Sequence, residues 1–380
     1  MTVRLRPGPG LGLGLAALLA LAAGCAGTRA GRATPAAAAP AAAAEKPADL
    51  TFAPEEVRVS ALDLELSEKN DEELFALATA AYGAGDYTRA AAAFARVVDR
   101  FPGSRHEAAA LFDAGLAYEK LEAWRLALER FRDLARRYTG PDALEAAFKA
   151  AECLYNLHEL DDTHAALAAI AARPELPLSE KVRVQTQLGV VEAEQGQLDQ
   201  AETTLRRALS TWQAAGDKER LDPYYAAQAQ YYVGEIYREW FRALPFDPST
   251  GDDAQLAAAL ERKSEMLLSA QGHYLRTIRL GNETWAVAAA FRVGELYDEL
   301  RRQLLDAPLP PGLDDEHAAE YRKQLRGRVR ILATKAISAW EAALSWANRT
   351  GFEDQRFLAS AQDGLARLKE ALAEDASRGI

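Results

Sequence analysis

The sequence predicts an all-α array of helix–turn–helix repeats, an α-solenoid, and three observations carry that expectation. From Asp71 onward the period-two alternation of strands is essentially missing. A pattern of apolar, small and turn-forming residues about 34 long recurs instead through most of the chain. The 380 residues are 49% hydrophobic with 8% aromatics, enough apolar material to bury a continuous core.

The first copy, residues 71–104, carries Leu74, Leu77, Ala78 and Ala81, then Gly85-Asp86-Tyr87, Ala90, Phe94, Val97 and Pro102. Small residues at Ala78 and Ala90 let two helices approach closely. Gly85 and Asp86 permit the tight turn, Phe94 fills the space between helices, and Pro102 stops the second one. The second copy has Leu111, Ala114, Gly115, Tyr118, Trp124, Ala127, Phe131 and Leu134. A degenerate third runs through Ala147, Ala151, Leu154, Ala165 and Ile170. The fourth has Leu188-Gly189, Gly196, Leu198, Ala201, Leu205 and Ala208. This spacing resembles the tetratricopeptide repeat (TPR), and the resemblance implies a superhelix whose first helices line a groove for protein partners.

Residues 71–215 are thus expected to hold four repeats and 216–350 two more. Tyr232-Val233-Gly234-Glu235-Ile236-Tyr237 recurs as Arg292-Val293-Gly294-Glu295-Leu296-Tyr297. Their second helices carry Ala270, Tyr274, Thr277 and Ala336, Trp340, Ala343. Each pair therefore contains an insertion of about 25–30 residues. The proline-rich stretches Leu244–Gly251 and Ala307–Gly312 form loops between lengthened helices. Residues 351–380 are expected to be a capping helix and polar tail, with Phe357, Leu358, Leu365 and Leu368 as the buried stripe.

Ahead of the array, Arg4 and Arg6 precede an apolar stretch from Leu11 to Ala23 that ends in Ala22-Ala23-Gly24-Cys25. Small residues before a cysteine resemble a bacterial lipobox. The resemblance implies a signal peptide over residues 1–24, cleavage before Cys25, and a lipid anchor on that cysteine. Ala26 stands where the enterobacterial pattern uses aspartate to retain lipoproteins in the inner membrane, so outer-membrane, periplasm-facing placement is expected. Residues 25–50 are almost all Ala, Pro, Gly and Thr and cannot build a core. As a tether they reach about 80 Å when stretched. Residues 51–70 are expected as a short extended segment, on weak alternation through Val57, Val59, Leu62, Leu64 and Leu66.

The formal charge of −11 opposes nucleic-acid binding, which needs a basic face. His106, His158, His164, His273 and His317 fall in different repeats without ligand spacing. No phosphate-binding glycine loop, GxSxG elbow or HExxH occurs, and Cys153 is expected as a small buried side chain. The expectation is a non-enzymatic protein, without cofactor, metal or small-molecule substrate, that touches the membrane through its lipid alone. In repeat register, one groove-facing position holds Phe75, Phe112, Phe148, Tyr231 and Phe291. Tyr82, Glu235, Glu239, Glu295, Asp298 and Glu299 are expected beside it as an acidic border. Such a groove suits a peptide or helix with apolar anchors and Lys/Arg, and its C-terminal three copies are expected to hold it.

Phrases such as Tyr274–Arg279, Gly281-Asn282, Trp285 and Ala307–Pro310 resemble the outer-membrane TPR lipoprotein of the myxobacterial adventurous gliding-motility machinery. That family implies a component linking the outer membrane to periplasmic parts of the machine. Phe101-Pro102-Gly103-Ser104 is similar instead to repeat seams of the outer-membrane-protein assembly lipoprotein BamD and of Tol–Pal-associated TPR proteins. A cell-wall-acting enzyme would need a clustered carboxylate, Ser or His site, which the sequence does not present.

Overall fold

The computed structural model describes residues 61–216, 221–250 and 252–378; the expected signal, Cys25 and tether lie outside the described residues. The chain divides into two units. In the first, residues 6–68, the described part is α1 (Ala61–Ser67). This corrects the extended reading of residues 51–70 at its end. Helical period places Leu62 and Leu66 on one face; Leu66 is buried while Leu64 is exposed, a distinction that five alternating residues cannot make in sequence.

The second unit holds six antiparallel helix pairs and a final helix. The pairs are α2 (Asp71–Gly83) with α3 (Tyr87–Arg100), α4 (Glu107–Lys120) with α5 (Trp124–Arg137), and α6 (Pro141–Asn156) with α7 (Leu160–Ala171). They continue as α8 (Leu178–Glu194) with α9 (Leu198–Ala215), α10 (Tyr224–Ala243) with α11 (Asp253–Arg279), and α12 (Glu283–Asp306) with α13 (Asp315–Thr350). The last helix is α14 (Gln355–Ser377). No strand occurs among the described residues, and no described helix is long and apolar enough to cross a membrane.

Local chemistry starts these helices. Asn70 and Glu73 form a reciprocal capping box at α2, and the side chains of Asp86, Asp252, Asn282 and Asp314 accept from the first turns of α3, α11, α12 and α13. In the turns between paired helices, Gly85 and Gly196 take φ of 81° and 79°, whereas Glu122 and His158 hold the same left-handed conformation with a Cβ. Replacing Glu122 by glycine should therefore stabilise the protein by about 0.5–1 kcal/mol, net of the freedom that glycine returns to the unfolded chain. A denaturant midpoint below wild type would contradict this.

Within each pair, a small residue on the first helix receives a large one on the second. A Cβ on Gly115 would lie 2.5 Å from the Phe131 ring, one on Gly189 2.6 Å from Leu205, and one on Gly234 2.7 Å from Tyr274. Gly294 meets Trp340 the same way. The partner stands 16 positions after the glycine in pairs two and four, and 40 and 46 after it in the last two pairs. The extra residues lengthen α11 and α13 at their starts. Counted from the glycine contact, both run about 12 residues, ~18 Å, beyond the end of their partner helix.

The core is continuous but uneven. Around α10–α14 it contains Tyr231, Phe241, Tyr274, Trp285, Phe291, Trp340 and Phe357, all buried. The third pair contributes Leu167 and Ile170 from an alanine-rich α7. Between α5, α6 and α7 an open cleft of about 190 Å³ remains, floored by Ala147, Ala150, Ala166 and Ala169 and rimmed by Arg132, Arg136 and Arg173.

Candidate functional site

Along the first helices, the expected aromatic column meets two different fates. Phe75 and Phe112 are half-buried: each leans edge-on against the second-helix phenylalanine, Phe94 at 5.5 Å and Phe131 at 5.6 Å, and His106 stacks on Phe75 at 4.6 Å. Tyr82 is also half-buried, edge-on to Tyr87. Phe148, Tyr231 and Phe291 are buried, and this corrects their assignment to an open groove. Arg183 from α8 sits 3.9 Å over the Phe148 ring. Tyr231 packs against Tyr274 and Trp285 and accepts a 2.9 Å hydrogen bond from Arg292. Phe291 packs against Phe352 and Phe357. The cause is the next element along: α8, α12 and α14 lie across these positions, where α2 and α4 leave them partly open.

The acidic border is corrected in the same region. Arg238 and Arg292 are buried between α10 and α12. Arg238 pairs with Glu295 at 3.0 Å and with Glu299, and Arg292 pairs with Glu235 at 3.1 Å and Glu295 at 2.5 Å. Arg242 binds Glu239 at 2.7 Å and Glu299, and Tyr274 donates to Glu235. Burial opposes the charge on Glu299, but Arg238 and Arg242 outweigh it and pull the carboxyl down to about 2. Against the same burial, Arg292 and Arg238 hold Glu295 below its ordinary range. Asp298 is 1% exposed and holds Arg301, Arg302 and Arg367 at 3.1, 3.2 and 2.7 Å, the last from α14. Five of the six border residues, Glu235, Glu239, Glu295, Asp298 and Glu299, are thus neutralised by arginines of this chain. They fasten α10, α12 and α14 together instead of awaiting a cationic partner.

What stays open is the first-helix surface of the N-terminal pairs. Across α4 and α6, Lys149 binds Glu119 at 3.0 Å and Glu152 at 3.1 Å. Burial lifts the Glu119 carboxyl, Lys149 offsets only part of that, and neighbouring Glu152 adds to it. Burial likewise raises Asp113. Lys149 stays above its ordinary range because Glu152 and Glu119 outweigh its burial. Further along, Tyr155 donates to Glu194, and Arg183 reaches Glu145 at 3.0 Å. The strip from Phe75 through Tyr82, Phe112, Asp113, Glu119, Lys149 and Glu152 therefore combines half-open rings with three carboxylates around one ammonium.

Among the described residues no group of three or more His, Cys, Asp or Glu is arranged to hold a metal ion. His106 stacks on Phe75, and His273 is buried against Tyr237, where burial drives its pKa down to about 3. Cys153 is buried, which pushes its thiol far up.

The net charge of the chain also hides a local reversal. Residues 321–340 of α13 carry Arg322, Lys323, Arg326, Arg328, Arg330 and Lys335 with no Asp or Glu. Block-wise charge counting is the signal that finds it.

Residues 74–104, which are α2 and α3 with their flanks, match the tetratricopeptide repeat family model. No curated protein matches the chain. Among solved structures the chain is similar to the apo form of RapI, with 8% identity, 80% of this chain and 99% of that one covered, and a TM-score of 0.43. It is similar to a Rap protein complexed with competence and sporulation factor at 12% identity, covering 83% and 80%, with a TM-score of 0.37. A third is YrrB, described as a TPR protein with an unusual peptide-binding site, at 17% identity, covering 56% and 92%, with a TM-score of 0.35.

Proposed function

We propose that the protein is a non-enzymatic, lipid-anchored adaptor that captures a peptide or helix of a partner protein on the first-helix surface of its N-terminal four pairs. The observation that carries this reading is the contrast along the array. Equivalent positions are sealed in the C-terminal pairs, while Phe75, Tyr82 and Phe112 keep half-open faces beside Glu119, Lys149 and Glu152. Half-buried aromatics bind with little entropy to lose, and a cation from the partner would relieve carboxylates that burial already strains. The fitting ligand has apolar anchors with Lys or Arg beside them.

The lipobox at Cys25 supports placement at the outer membrane facing the periplasm, where the partner would be another envelope protein. Of the envelope machines, the gliding-motility machinery is the leading assignment, on the phrases between Tyr274 and Pro310. Outer-membrane-protein assembly is the alternative. The test is a crosslinked pull-down from membranes comparing wild type with Phe75→Ala/Tyr82→Ala. Loss of two anchors should weaken capture at least ~30-fold, with thermal stability nearly kept. Recovery of the same proteins in the same amounts by both would sink the groove assignment.

A further inference from the structure

The inserted half of α13 presents a feature that the peptide-binding reading does not use. Six basic residues stand between Tyr321 and Trp340 without an acidic one, in a chain of net charge −11. Arg322, Lys323, Arg328, Arg330 and Lys335 are exposed and Arg326 is half-buried. No carboxylate among the described residues lies within salt-bridge distance of Arg322, Lys323, Arg326 or Arg328, although most other arginines here find one. Arg322 stands seven residues before the buried Val329 and so falls on the inward stripe, yet it is exposed because α13 has there run past the end of α12.

Helical spacing arranges these charges as two rails. Lys323, Arg326 and Arg330 follow one side of the helix, and Arg328 and Lys335 the other. Between them the outward strip reads Gln324, Gly327, Ile331, Thr334 and Ser338, and Ile331 is 57% exposed. A protein partner would need a cluster of large apolar or aromatic anchors, and this face offers one isoleucine. Two cationic rails around a thin, nearly flat strip instead match a surface whose charge is dense, negative and uniform.

We infer that the projecting half of α13 is a docking face for anionic phospholipid headgroups, which lays the array against the leaflet. The inference rests on the lipid-anchored reading only for proximity, since the tether keeps the face within reach of the membrane. Phosphates contact the arginine and lysine rails, Ile331 enters the interface, and the acidic remainder of the chain is held away. The two attachments differ in kind: the acyl chains decide that the protein stays at the membrane, and α13 decides which way it faces.

The test uses the chain from residue 25 onward with Cys25→Ser, so that no acyl chain contributes, in flotation with phosphatidylcholine vesicles with or without phosphatidylglycerol. Binding should require phosphatidylglycerol and fall steeply between 50 and 500 mM salt. Arg322→Gln/Lys323→Gln/Arg328→Gln, all at exposed positions, should weaken it by about 100-fold at ~fivefold per charge, with an unchanged melting curve. Equal binding to neutral vesicles, an undiminished triple variant, or tighter binding to a DNA duplex than to the vesicles would overturn the proposal. Acylation of Cys25 is read separately by mass spectrometry of the wild type, so its failure and the failure of the docking face are distinguishable.

Discussion

Replacing Arg238 by methionine should destabilise the α10–α14 half of the array by about 3–5 kcal/mol. The guanidinium is 4% exposed and serves Glu295 and Glu299, so its removal leaves two buried carboxylates with one fewer cation between them. Methionine of similar length keeps the packing, which isolates the charge effect. Hydrogen exchange of the α10 and α12 amides is the measurement. Protection falling by two or more orders of magnitude there, and little in α2–α5, is the expected result. Adding Glu299→Gln to the same chain should recover part of the loss, because it removes a charge that has lost its partner. The pH dependence follows with its sign. Glu299 titrates at about 2 in the folded protein and near 4.3 when unfolded, so its contribution is complete above pH ~4.5 and is lost as the pH falls toward 2. Wild type should therefore lose stability across that window, and Arg238→Met should show a flatter slope. An unaltered slope would mean the arginine is not what holds Glu299 ionised.

The second large effect is expected at Trp340. Its indole lies against the backbone of two helices at once, where Gly294 on α12 and Gly364 on α14 carry no side chain. Its Nε1 donates to the Phe291 carbonyl at 3.1 Å. Trp340→Ala removes the largest side chain of the last pair and orphans the space between three helices, for a loss of about 3–5 kcal/mol. Phenylalanine at the same position fills most of the volume but drops the hydrogen bond, and should lose about 1–2 kcal/mol. Denaturant unfolding followed by the remaining tryptophans checks both, and the order matters more than the sizes. If Phe costs as much as Ala, the hydrogen bond rather than the volume secures α13 and α14.

Much of the fold was legible because a glycine opposite a large residue is a rigid spatial requirement that leaves a fixed spacing in sequence. The pairs Gly115–Phe131 and Gly189–Leu205 stand at the same separation, and the longer separations at Gly234–Tyr274 and Gly294–Trp340 measure their insertions. The site was less legible for a definite reason. Register says which residues face the next first helix, but not how closely that helix approaches. Phe75 and Phe291 share a register position, yet α14 crosses only the latter, through Phe357. The acidic border was misjudged although its correction lay nearby: Glu235–Arg238, Glu239–Arg242, Arg292–Glu295 and Asp298–Arg301 are all three residues apart, a spacing that joins charges along one helix face. Counting only acids hid those partners, and averaging charge over the chain hid the basic run of α13. The residues of α1 were too few to separate a period of two from one of 3.6.

The cleft beside the alanine-rich α7 has a consequence for how order propagates. A stacked array has no long-range contacts to share a disturbance, so each unit feels only its neighbours and cooperativity is passed from seam to seam. A seam floored by alanines passes on little, since dispersion falls off where atoms on one side are missing. The molecule then behaves as two coupled blocks rather than one rod, with the open, partner-facing pairs α2–α5 on one side and the ion-paired block α8–α14 on the other. The first block can breathe and re-form around a ligand without asking the second to move. The soft joint decouples the adaptable part of the chain from the rigid one.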